Sequence, residues 1–515
     1  MLSGVVAGAE NGVGWNGPWR EILSMTENVG GQPVKFLIVG AGEAGRMAAE
    51  EMRRHPDQGL VPVGFIDDDR AKAGRSVAGV PVVGTRADIP RALRETGADE
   101  LLIALPSASG AIVRQIVQFC ETERVRFRIV PGIWEIIRGN VHIQQIRPVH
   151  PDDLLGRESV ELDLDILKRA YAGKRLLVTG AGGSIGSEIC RQLVQALPSD
   201  VVLVGRGENS IFEADISLRE GGRIGAPRLK TIIADVRDAE RMTRILAEER
   251  PHAVFHAAAH KHVWLMEQHP DEALLNNLVA TADLVEICVR QGVERFVLIS
   301  SDKAVNPRSV MGATKRLAEI YLMQRARQLA AAGGPATRLM AVRFGNVLGS
   351  RGSVVPLFRR QIARGGPVTV SHPDVARYFM TVKEAALLVV EAGGLGQGGE
   401  IFILDMGDQM RIAELARDLI VLSGFRPDVD IPITFVGMKP GEKLREELVH
   451  PFEPLADMGV TGLRVTRDAV GTGASLVDGA VRELAALART GDRARILAEI
   501  ERLVPEAQLA RTPVA

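Results

Sequence analysis

The feature that most constrains this chain is a pattern that occurs twice: an apolar strand, a turn of spaced glycines, then an amphipathic helix. The run KFLIVGAGEAG (35–45) enters the first turn through Gly40, Gly42 and Gly45, and RMAAEEMRRH continues as the helix. A further strand, VPVGFIDDD, brings Asp67 to 22 residues beyond Gly45. The run KRLLVTG (174–180) opens the second turn at Gly180, Gly183 and Gly186, and SEICRQLVQAL follows. Glycines suit such a turn because it needs positive φ and because a Cβ would hold the backbone off a pyrophosphate. The helix that follows offers its free N–H groups to that anion.

Two such units predict an α/β fold: two doubly wound Rossmann-type domains in tandem, the second carrying a C-terminal substrate-binding α/β lobe. Residues 1–34, turn-rich and without the basic start and apolar block of a secretory signal, are expected to be a disordered leader. Strand–helix alternation then spans 35–145 as a Rossmann-like nucleotide-binding domain. The poorly periodic stretch 146–165 reads as a linker, 166–500 as the catalytic domain, and 501–515 as a tail.

Composition narrows the function by exclusion. Over 515 residues the charged share is 25% and the formal net charge −1, so no basic surface suggests nucleic acid or an anionic membrane. No apolar run approaches the roughly 18 residues of a membrane span. Cys120, Cys190 and Cys288 are scattered, without partners at metal-ligand spacing. They read as buried thiols, with no metal site expected and the cytoplasm as the natural compartment.

In the first domain Gly40, Gly42, Gly45 and Asp67 mark a tentative second nucleotide site, with a ligand-free Rossmann module as the other reading. In the second, Asp235 follows the strand TII, where its carboxylate can accept from an adenine amino group. Small Ala257, Ala258 and Ala259 follow the next strand and let backbone lie against a cofactor. These positions fall at the carboxyl ends of parallel strands, where open sheets bind ligands. An acid about 20 residues beyond the last glycine would hold the ribose of NAD. Gly205 stands there instead, followed by Arg206, which favours the 2′-phosphate of NADP; Glu208 keeps NAD open.

The strings TGAGGSIGSE (179–188), HAAAHKHVWLME (256–267), SSDKAVNPRSVMGATKR (300–316), VRFGNVLGSRGSVVPLF (342–358), HPDVARYFMT (372–381) and GMKPGEKLREEL (437–448) carry a resemblance. In this order they resemble the extended short-chain dehydrogenase/reductase superfamily. More narrowly, they resemble the bacterial polysaccharide-biosynthesis branch of nucleotide-sugar 4,6-dehydratases, in its long form without the membrane region. The resemblance implies a tightly bound, recycled NADP or NAD held by Gly180, Gly183, Ser184, Ile185, Gly186, Arg206, Asp235, Val236, Ala257 to Ala259, Asn277 and Lys315. It implies a UDP-sugar substrate, a homo-oligomer and membrane-anchored relatives; this chain itself gives no physical reason to expect insertion, and the cytoplasm, or the inner face of a membrane, is its expected place.

The superfamily places Tyr-x-x-x-Lys on one helix face. Here Met311 stands at the tyrosine position and Lys315 is kept; a thioether carries no proton. The related branch itself often has Met there. The chemistry therefore moves to Ser301, Asp302 and Lys303, just after the strand RFVLIS. A sugar C5–H is acidic only once C4 is a ketone, so the cofactor takes hydride from C4, and later returns it to C6. Lys303, if neutral, can take the C5 proton; Asp302, if protonated, can give its proton to the leaving C6 hydroxyl. Ser301, relayed through water or Asp302, is the expected acceptor of the C4 hydroxyl proton. By the same resemblance Asn346 contacts the sugar diphosphate, Arg377 clamps it, Lys261 reaches the sugar and Glu442 borders the nucleotide.

The function expected is UDP-N-acetylglucosamine 4,6-dehydration for surface glycans. An epimerase on the same scaffold and a non-catalytic nucleotide-sugar sensor are the alternatives.

Overall fold

The computed structural model describes residues 33–105, 108, 110–123, 125–130, 163–220, 227–333, 337–467, 476 and 479–509. The predicted leader up to residue 32 and the linker up to residue 162 lie outside the described residues. The chain divides into two compact units, one ending at Gly156 and the other beginning at Arg157.

The first unit is a six-stranded sheet of β1 (Val34–Val39), β2 (Leu60–Ile66), β3 (Ser76–Val77), β4 (Val80–Gly84), β5 (Glu100–Ile103) and β6 (Arg126–Ile129). Its order is β3-β4-β2-β1-β5-β6, and every pairing except β3 with β4 is parallel. Helix α1 (Glu43–Arg54) starts at the first glycine turn, with Ala44, Ala48, Ala49 and Met52 facing the sheet.

The second unit has a nine-stranded sheet, in which β7 (Arg175–Thr179), β8 (Asp200–Gly205), β9 (Arg228–Ile233), β10 (Ala253–His256), β11 (Arg295–Ile299), β12 (Arg338–Arg343) and β13 (Glu400–Leu404) are parallel. An antiparallel hairpin of β14 (Ala456–Asp457) and β15 (Leu463–Thr466) closes one edge, giving the order β14-β15-β13-β12-β11-β10-β7-β8-β9. The central strands read as unbroken apolar runs because helices cover both faces: Leu176, Val178, Phe255 and Val297 pack into one core, Leu177, Val254, Phe296 and Leu298 into the other. The three cysteines are buried, as the sequence predicted.

One helix follows the glycine turn of the second unit, and another carries Met311 and Lys315. Helix α2 (Ser184–Val194) begins at Gly183. Helix α3 (Val310–Ala332) is capped by the Ser309 hydroxyl, which accepts from the Gly312 amide at 3.0 Å, and stops before Gly333, whose φ is +69°. The expected C-terminal lobe is built from short strand pairs: Val368–Val370 beside Ile433–Phe435, and Ala376–Arg377 beside Met410–Arg411.

Residues 501–509, expected to begin a tail, instead belong to the second core. Helix α4 (Arg493–Leu503) leads into Val504, Ala507 and Leu509, which are buried with it, and the Gln508 amide donates to the Pro307 carbonyl at 2.9 Å. The apolar residues at 496, 497, 500, 503 and 504 repeat at helical spacing, so the tail has a face to bury.

Candidate active site

The glycine turn of the second unit fits a dinucleotide. Gly180 has φ +66°, and a Cβ there would lie 2.6 Å from the Ala258 amide nitrogen, so the turn meets the Ala257–Ala258 segment backbone to backbone. The first turn of α2, from Ser184 through Ile185 to Gly186, directs its amides at the same crevice. At the crevice edge the Asp235 carboxylate takes the Arg237 guanidinium at 2.7 Å and lies 3.9 Å from Arg206. Arg237 holds Asp235 below the usual carboxylate range. The edge therefore holds two arginines and two acids, since Arg237 Nη1 also meets Glu272 at 3.0 Å, with Val236 buried beside it.

Asn277 takes a different place from the one expected. Its amide is spent inside the protein: Oδ1 accepts from the His260 N–H at 2.8 Å, while Nδ2 donates to the His260 carbonyl at 3.0 Å and Thr314 Oγ1 at 3.2 Å. It fixes the loop after Ala259 to α3 and offers no free group to a cofactor. Lys261, expected at the sugar, donates to the Arg351 carbonyl at 2.7 Å. The Arg351 amide in turn donates to Ser184 Oγ at 3.0 Å, so this loop lies along the glycine turn and keeps Lys261 with it.

Ser301, Asp302 and Lys303 form a single turn at the carboxyl end of β11. Ser301 Oγ donates to Asp302 Oδ1 at 2.9 Å, and Lys303 Nζ reaches the same oxygen at 3.0 Å. Lys303 Nζ also donates to Asn346 Oδ1 at 3.0 Å and lies 3.4 Å from Glu446 Oε1. Arg377 Nε approaches that Glu446 oxygen at 3.6 Å, while Nη1 donates to the Ala376 and Leu444 carbonyls. A cleft bounded by Lys303, Ser309, Arg377, Glu442, Lys443 and Glu446 opens over these groups. Of the predicted substrate residues, the structure thus brings Asn346, Arg377 and Glu442 to Lys303, and leaves Lys261 elsewhere.

Burial sets the charges. Asp302 is fully buried, and Oδ2 has no partner among the described residues. Desolvation pushes its carboxyl above the usual range, against the pull of the Lys303 ammonium. For Lys303 the balance falls the other way: burial draws it down, but Asp302 and Glu446 together hold it above the ordinary lysine range. The neutral lysine expected from the sequence is therefore not its resting form. Burial also opposes the charge on Glu446, yet Lys303, Arg377 and Lys443 keep it ionised.

Met311 and Lys315 lie one turn apart on α3, both buried. Lys315 Nζ donates to the Ile299 carbonyl at 2.9 Å, and burial brings it down to about 8. Beneath the site, buried Arg343 at the end of β12 pairs with Glu319 at 2.7 Å and Glu453 at 2.8 Å, and Ser300 Oγ donates to Glu319 at 2.6 Å. Sequence reading missed this network, and missed Glu446. The string GEKLREEL offered Glu442, Glu446 and Glu447, and only the fold separates the buried one.

In the first unit Asp67 is committed to its own glycine turn. Oδ2 accepts from the Ala41 amide at 2.8 Å and from Lys72 Nζ at 2.9 Å. Its Oδ1 accepts from the Asp69 amide at 2.9 Å. The acid expected to meet a ribose holds the turn between Gly40, Gly42 and Gly45 in shape.

Residues 176–460 match the family model described as polysaccharide biosynthesis protein, and residues 20–131 match one described as a CoA-binding domain. The probable polysaccharide biosynthesis protein EpsC of Bacillus subtilis is 45% identical over 424 residues, 82% of this chain and 69% of the relative. Over 54% of this chain, the inverting UDP-N-acetylglucosamine 4,6-dehydratase of Campylobacter jejuni is 33% identical, covering 77% of that protein. The UDP-glucose 4-epimerase of Rickettsia canadensis is 34% identical over 54% of this chain and 78% of its own length. Among solved structures, Pen from Bacillus thuringiensis superimposes with a TM-score of 0.52 at 30% identity, covering 62% of this chain and 98% of that one.

Proposed function

This chain belongs to the polysaccharide biosynthesis protein family, and on that premise we propose that it is a nucleotide-sugar 4,6-dehydratase acting on UDP-N-acetylglucosamine. The observation that carries the reading is the fully buried Asp302 carboxylate, whose affinity for a proton burial raises, with Ser301 and Lys303 both bonded to its Oδ1. Elimination of water needs an acid for the departing hydroxyl beside a base for the C5 proton, and this turn holds one of each.

A bound nicotinamide supplies the oxidation at C4 and the return of hydride to C6. The protein's own groups move the protons. The C4 hydroxyl proton passes to Ser301 Oγ as that hydroxyl gives its own to Asp302 Oδ1. Asp302, now neutral in a dry site, protonates the C6 oxygen, which leaves as water. Lys303, having given its ammonium proton to solvent, takes the proton from C5, returns one there at the end of the cycle, and regains its own from solvent. Ser301, Asp302 and Lys303 end in the states in which they began. Met311 takes no part in proton transfer, and Lys315 orients the nicotinamide ribose. Arg377 and Asn346 hold the diphosphate, with Glu442 at the nucleotide side.

The pair Arg206 and Arg237 favours the 2′-phosphate of NADP over NAD. Incubation with UDP-N-acetylglucosamine followed by NMR of the product tests the reading. Loss of water to a 4-keto-6-deoxy sugar supports it; inversion at C4 with both hydroxyls intact identifies an epimerase, and no change a non-catalytic binder.

A further inference from the structure

Glu446 is the acid in the cleft for which the reaction scheme has no use. It is 3% exposed, and one carboxylate oxygen serves two cations at once, Lys303 Nζ at 3.4 Å and Arg377 Nε at 3.6 Å. The other oxygen is buried without a partner among the described residues. A carboxylate is rarely buried with one oxygen unsatisfied, because the missing hydrogen bonds cost free energy. A group so held is poised to exchange partners. It also sits where a diphosphate reaching Arg377 would bring further negative charge, and like charges a few ångströms apart in a buried cleft repel strongly.

We infer that Glu446 is an internal stand-in for the substrate's diphosphate: it occupies Arg377 and Lys303 in the empty cleft, and a diphosphate must displace it from Arg377 to bind. The inference rests on the reading of Arg377 as the diphosphate clamp. The groups facing the exchange are Asp302 and Asn346 on the Lys303 side, Lys443 beside Glu446, and the carbonyls of Ala376 and Leu444 that hold Arg377 in place. Because Arg377 Nη1 is tied to main chain, the arginine cannot swing far, and Glu446 is the partner that moves. The diphosphate brings at least the negative charge that Glu446 withdraws, so the exchange keeps the cations Arg377 and Lys303 matched by an anion. Glu446 is in this sense a positioning residue that acts through Lys303 and Arg377.

The test is calorimetric titration of the full chain with UDP and, separately, with inorganic pyrophosphate. Glu446→Gln keeps the shape and removes the charge, so it binds both ligands more tightly than the wild type, by about tenfold for loss of one competing charge. Glu446→Asp, which retracts the carboxylate from Arg377 but keeps it charged, falls between the two. In the double variant with Arg377→Met the gain disappears. Damage to folding would weaken binding, so tightening is the outcome a merely structural role does not give. Folded Glu446→Gln and Glu446→Asp proteins that bind no more tightly than the wild type overturn the inference. If pyrophosphate tightens while UDP binds to no variant, the stand-in role holds and the UDP-sugar reading falls. If neither ligand binds the wild type or any variant, both fall.

Discussion

Gly312, in the first turn of helix α3, packs on the carbonyl of Lys303 so closely that a Cβ at that position would fall 2.1 Å from the oxygen. The helix that carries Met311 and Lys315 is thereby pressed against the turn that carries Asp302 and Lys303. Real side chains do not tolerate such an approach, and the obstacle is backbone. Gly312→Ala is expected to displace the reactive turn. With Asp302 moved from Ser301 and Lys303, kcat should fall by two orders of magnitude or more (roughly, for a misplacement of about 1 Å) while cofactor stays bound. Turnover within tenfold of wild type would contradict this packing.

Asp302→Asn and Lys303→Ala are each expected to lower kcat by roughly 10²–10⁴, the usual contribution of a positioned acid or base. The two should differ in isotope behaviour. Asp302→Asn keeps Lys303, so it still exchanges the C5 hydrogen with solvent deuterium in whatever 4-keto sugar it forms, whereas Lys303→Ala does not. Equal exchange in both variants would remove Lys303 from the role of C5 base.

The buried ion network makes a stability prediction. Arg343 pairs with both Glu319 and Glu453 in a site closed to water. Arg343→Ala removes the nearer of the two guanidiniums that hold these carboxylates, leaving Arg316 at 3.4 Å from Glu319 and 3.9 Å from Glu453, and should cost about 3 kcal/mol in urea unfolding. Arg343→Lys, which preserves the charge but not the fork that meets two acids, should recover only part of it. A loss under 1 kcal/mol for the alanine variant would mean that the network is not closed.

Acid sensitivity should follow two histidines. His256, bonded between the hydroxyls of Thr179 and Thr281, is brought down to about 3 by burial, helped by Lys315. His450 is also brought down to about 3, by burial first and then by Arg316 and Arg343. Both stay neutral in the folded protein while the unfolded chain takes up protons below about 6.5. Their stabilising share is therefore complete above that pH and is lost as pH falls toward 3. At pH 5 each should have cost roughly 2 kcal/mol relative to pH 7. His256→Gln should flatten its part of this slope; an unchanged slope would place the acid response elsewhere.

Much of this was legible in the sequence, for physical reasons. Glycine turns between an apolar strand and a helix have few other uses, so both sheets could be read from their first 50 residues. The grouping of Ser301, Asp302 and Lys303 was legible because the three are adjacent and end a buried strand. What the sequence hid was long-range or electrostatic. Glu446 reaches Lys303 across more than a hundred residues, and Asn277 carries the same amide whether it faces a cofactor or the His260 main chain. The charge of Lys303 depends on how many carboxylates surround it, which only the fold reveals. The segment 501–515 reads as a tail when its apolar residues are taken singly, although Leu503, Val504, Ala507 and Leu509 lie where the second core covers them.

Release of the bound dinucleotide by denaturation, with identification by mass, is expected to give NADP. Arg206→Ala should weaken its retention more than that of NAD, since only NADP carries the phosphate that the Arg206 and Arg237 pair would meet. Recovery of NAD alone would reverse this assignment and leave the rest of the chemistry intact.

The most direct test follows the hydrogen itself, using UDP-N-acetylglucosamine deuterated at C4. Intramolecular oxidation, elimination and return predict a 4-keto product that has lost water and carries the deuterium in its C6 methyl group, with no net consumption of cofactor. Deuterium still at C4, with the C6 hydroxyl retained, would contradict the account.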